Sequence, residues 1–68
     1  MELRDRIQMA AAGAVLDAAW YTLADNRART RDDAADRAYW AQQRNKYRRM
    51  IVAAAQLVEL LLREEAGR

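Results

Sequence analysis

Asp25-Asn26-Arg27-Ala28-Arg29-Thr30-Arg31-Asp32-Asp33 is the stretch whose reading decides the fold. It holds no apolar residue larger than alanine, and it separates two long segments of helical pattern. Asn26 suits the left-handed conformation that closes a helix. Thr30 followed by Asp33 has the spacing of a capping box with a shorter acid at its third position. Asp32 and Asp33 suit the positive end of a helix. These signals predict a tight turn near residues 26–30. The competing reading is one unbroken helix through the segment.

Upstream, the pattern predicts a helix over about residues 2–25. Leu3, Ile7, Ala11, Ala14, Ala18 and Tyr21 recur at helical spacing on one face. Met9, Leu16, Trp20 and Leu23 fall roughly opposite on the helical wheel, with Glu2, Arg6, Gly13 and Asp17 as the polar strip between. A helix apolar on two sides is covered on two sides, which one hairpin partner cannot do alone. Downstream, a helix is predicted over about residues 31–66, with no glycine or proline until Gly67 supplies a stop. Trp40, Gln43, Tyr47, Met50, Ala54, Leu57 and Leu61 follow the alternating three-and-four spacing of a heptad seam. Ile51, Val58 and Leu62 widen that seam.

The expected fold is therefore all-α, a single helical-hairpin domain over residues 1–68 built as a two-helix antiparallel hairpin. At about 1.5 Å per residue the helices should be roughly 36 and 54 Å long. Folding back at residue 28 sets Leu16 near Trp40, Met9 near Tyr47, and Leu3 near Val52 or Ala53. Leu57, Val58, Leu60, Leu61 and Leu62 are then left without an intramolecular partner, at about 1.5–3 kcal/mol of forfeited burial each. Such a patch marks an interaction surface. Met50, Ala54, Leu57, Val58, Leu61 and Leu62 are the expected oligomer interface, closing a four-helix bundle or a larger helical oligomer.

Composition narrows the chemistry. The 68 residues include sixteen alanines and eleven arginines, with Lys46 the lone lysine, a bias toward helix formers that also fits a G+C-rich bacterial or phage genome. Cysteine, histidine, serine and proline are absent, so disulfides, imidazole bases, thiol or hydroxyl triads and zinc fingers lack their parts. No glycine-rich loop is present to cradle phosphate. Glu59, Glu64 and Glu65 crowd toward a helix end, where Glu59 and Arg63 have the spacing of a surface pair. Leu3-Arg4-Asp5-Arg6-Ile7 is similar to the first turns of the helical chorismate mutases. That likeness covers five residues, and no third helix is expected within these 68 residues to complete that family's site. No enzyme, cofactor or metal is expected. The longest apolar run, residues 9–16, is far below the roughly 20 residues of a membrane span. With no basic segment feeding an apolar core at the start, the expected location is the cytoplasm.

Two clusters hold binding potential. Arg44, Lys46, Arg48 and Arg49 occupy an acid-free stretch, and Arg37, Arg44 and Arg48 share a helix face at spacings that suit successive phosphates. The plainer reading is a solvated face whose arginine stems cover apolar neighbours. Trp20, Tyr21, Tyr39 and Trp40 lie near the expected turn beside several arginines, as a pocket stacking a base would require. The plainer reading is an aromatic cluster closing one end of the core. The expected function is that of a small non-enzymatic protein–protein interaction module, a regulator, adaptor or inhibitor of phage or bacterial origin. Its partners are itself, as a homodimer or higher oligomer, and another protein. A nucleic-acid-binding hairpin and a nucleotide-binding oligomer are the alternatives.

Overall fold

Two helices and no strand make up the described part of the chain, residues 2–67, in a computed structural model. Helix α1 spans Leu3–Thr30 and helix α2 spans Ala34–Ala66. They fold back on each other as a hairpin 53 Å long and 14 Å across. No helix among the described residues is long and apolar enough to cross a membrane.

The turn lies at residues 31–33, beyond the expected 26–30. Asn26 and Thr30 are both helical, and no described residue has positive φ. The Thr30 hydroxyl, expected to cap α2, donates instead to the Asn26 carbonyl one turn back, 2.8 Å away. The N-cap of α2 is Asp33, whose Oδ2 accepts the Asp36 amide at 3.0 Å. Charge explains the shift. Arg27 and Arg29 occupy the last turn of α1, where cations meet the negative end of the helix. Asp25, one turn earlier, pairs with Arg29 at 2.8 Å. Asp33 and Asp36 then sit at the positive end of α2. Arg37 closes the turn by donating through Nη1 to the carbonyls of Arg31 and Asp32, both at 2.8 Å.

Moving the turn changes the register. The helices are about 42 and 50 Å long, a closer match than the expected difference of about 18 Å. Trp20 meets Tyr47, Arg27 meets Trp40, and Asp25 meets Arg44. At the open end, Met9 and Ala10 share a groove with Leu57 and Leu61. The expected pairing of Met9 with Tyr47 and Leu16 with Trp40 is thus displaced by about three helical turns.

The seam between the helices follows the spacing of a two-stranded coil. On α1 it runs through Leu3, Ile7, Ala10, Ala14, Asp17, Tyr21, Ala24 and Ala28, all buried or half-buried. Ala11 and Ala18, expected on this face, are exposed. On α2 it runs through Trp40, Arg44, Tyr47, Ile51, Ala54, Val58 and Leu61. The expected α2 seam shares Trp40, Tyr47, Ala54 and Leu61 with this one. Gln43 is half-buried beside it, while Met50 and Leu57 are exposed. Only Leu3, Ala24 and Leu61 are buried among the described residues. So many alanines fill the seam that the pair buries little apolar volume.

Candidate interaction surface

Ten large apolar side chains stay exposed on the described part of this hairpin. On α1, Met9, Leu16 and Trp20 are 62%, 59% and 45% exposed, and helical spacing places them along one flank. On α2, Met50 and Leu57 are seven residues apart and therefore share a strip, and Leu60 stands beside it. The groove formed by Arg6, Met9, Ala10, Leu57 and Leu61 shows that the two strips lie on the same side of the hairpin. The strips form one largely apolar flank, joined at the open end by this groove. Val15, Val52 and Leu62 are exposed elsewhere, with Leu62 lining a separate groove with Arg4, Ile7 and Gln8.

The residues expected at an oligomer interface therefore divide. Ala54, Val58 and Leu61 face α1 within the same chain, with Leu61 only 5% exposed. Met50, Leu57 and Leu62 remain open. Val58 and Leu61 gain an intramolecular partner because α1 reaches back to their level, contrary to the expectation that they lack one. Met9, Leu16 and Trp20 belong to the open surface as well. Their signal in the sequence is the second apolar face of α1.

The basic residues are divided too. Arg37 is held by the turn carbonyls, and Arg44 lies 3.5 Å from Asp25 with both partly covered. The Lys46 ammonium sits 5.6 Å from the Tyr47 ring centre. Arg48 and Arg49 are exposed. Of the expected phosphate contacts, Lys46, Arg48 and Arg49 are thus on open positions.

The four aromatics do not gather into one pocket. Trp20 stacks on Tyr47, with ring centres 6.3 Å apart and planes 18° from parallel. Tyr39 meets Trp40 edge-on at 5.2 Å, and the Arg27 guanidinium lies 4.5 Å over the Trp40 ring. Tyr21 turns half-buried into the seam. Because Trp20 is level with Tyr47, about 10 Å of helix separates it from Trp40. Among the described residues no acidic cluster could hold a metal ion.

No family model, curated protein or solved structure matches this chain.

Proposed function

We propose that the chain is a small non-enzymatic protein–protein interaction module that acts as a helical oligomer, a regulator, adaptor or inhibitor for a second protein. The observation that carries this reading is the apolar flank of Met9, Leu16, Trp20, Met50, Leu57 and Leu60, left open beside a core that among the described residues holds three buried ones. An exposed patch of this kind on a small chain marks a binding surface. The chain has no cysteine for a disulfide, and association is a common supplement to a core this small.

The test is capture of partners by the tagged chain from its native host, with and without nuclease, beside a Leu57→Asp, Leu60→Asp variant. Loss of a nuclease-resistant protein partner in the variant supports the reading. Capture that depends on nucleic acid and on Arg48 and Arg49 overturns it in favour of a nucleic-acid-binding hairpin.

A further inference from the structure

We infer that the apolar flank is covered by the same flank of a second copy of this chain, about a two-fold axis at the level of Leu16 and Met50, with each Trp20 seated over the other copy's Gly13. This rests on the helical-oligomer part of that reading and names the partner of its surface.

The exposed area is large enough to accommodate a second copy. A folded monomer of this mass exposes about 4,400 Å², whereas the hairpin exposes 5202 Å². The excess of about 800 Å² matches what one partner buries in a standard interface.

Gly13 supports the placement. It lies in the interior of α1, flanked by Ala10, Ala11, Ala12 and Ala14. Glycine there is a weaker helix former than alanine. Its φ is not positive, so it serves no special backbone conformation. A Cβ at Gly13 would meet nothing within 4 Å, so no contact inside the hairpin requires its absence. Gly13 is seven residues before Trp20, on the same flank. A bare patch of backbone beside Met9 and Leu16 admits a bulky side chain from outside.

Symmetry supplies the axis. The middle of α1 falls between Leu16 and Asp17, and the middle of α2 falls at Met50. Gly13 and Trp20 are equidistant from the first of these points, and Met9 and Leu23 nearly so. A two-fold axis at that level, with the turns at opposite ends, lays Trp20 on Gly13 twice, Met9 near Leu23 twice, and Leu16 and Met50 on their own counterparts. A self-complementary patch is what an isologous dimer needs.

The test uses the full chain in sedimentation equilibrium, with single-cysteine variants for geometry, since the sequence has no cysteine of its own. The parent should sediment as a dimer at micromolar concentration. Gly13→Leu should raise the dissociation constant on the order of tenfold or more while helix content holds, because leucine is the better helix former and only the contact is blocked. Leu16→Cys should form a disulfide-linked dimer on oxidation, and Val52→Cys, close to the axis level but off the flank, should not. A dimer indifferent to Gly13→Leu, or one in which Leu16→Cys links no better than Val52→Cys, overturns this inference and leaves the interaction reading standing. A folded monomer that still captures a second protein through Leu57 and Leu60 overturns this inference and the oligomeric part of that reading, and leaves its protein-binding part standing. A folded monomer that captures nothing overturns both.

Discussion

Removing the cap at Asp33 should cost far more than removing the hydroxyl at Thr30. Asp33 Oδ2 accepts the Asp36 amide at 3.0 Å at the start of α2, and its charge lies at the positive end of the helix. Loss of such a cap costs about 1 kcal/mol, which for a chain of this size is roughly 4–8 °C in Tm. Thr30 only bonds back to the Asn26 carbonyl within α1, an arrangement that alanine improves slightly in a helix. Asp33→Ala should therefore melt several degrees lower than the parent, Asp33→Asn should stay close to it, and Thr30→Ala should be level or slightly higher. Circular dichroism at one fixed chain concentration reads all three. A larger loss for Thr30→Ala than for Asp33→Ala would refute the turn at residues 31–33.

Three further outcomes follow from the same structure. Ala28→Gly, inside α1 and half-buried, should lower stability by about 1 kcal/mol, read by the same melts. Leu61→Ala should cost about 2–5 kcal/mol in urea unfolding because Leu61 is buried within the single chain, whereas exposed Leu62→Ala should lie near ~0.5 kcal/mol or below in the absence of a partner on its side. Arg37→Ala, which strips both hydrogen bonds from the turn carbonyls, should cost about 1 kcal/mol, and Arg37→Lys should recover only part of it because lysine lacks the planar fork.

The helical class and the hairpin were legible because alanine, arginine and the spacing of large apolar residues all point one way. The turn was legible only in part. Thr30 and Asp33 have the spacing of a capping box, but Asp33 is the cap and Thr30 the end of the preceding helix. The better signal is the change of sign along the chain. Arg27, Arg29 and Arg31 give way to Asp32, Asp33 and Asp36, and each set suits the helix end that it occupies. Capping chemistry is local and recurs wherever Thr, Asn and Asp occur. A reversal of charge marks the junction itself. The role of Arg37 in the turn has no such signal, since it depends on two carbonyls five and six residues upstream.

The seam of α2 shows why one helix in isolation leaves the partner undecided. Trp40, Tyr47, Ala54 and Leu61 recur every seven residues, and two sets of neighbours complete the heptad. Ile51 and Val58 stand on one side of that line, and Met50 and Leu57 on the other. Spacing alone favours neither. Packing against α1 takes Ile51 and Val58, whose stiff branched side chains fit the alanine-lined seam, and leaves Met50 and Leu57 outside. Helix α1 divides in the same way, with Leu3, Ile7 and Tyr21 turned inward and Met9, Leu16 and Trp20 turned out. A lone hairpin needs one seam per helix. The second strip on each helix is left over by the hairpin, and it is the surface on which the proposed interaction rests.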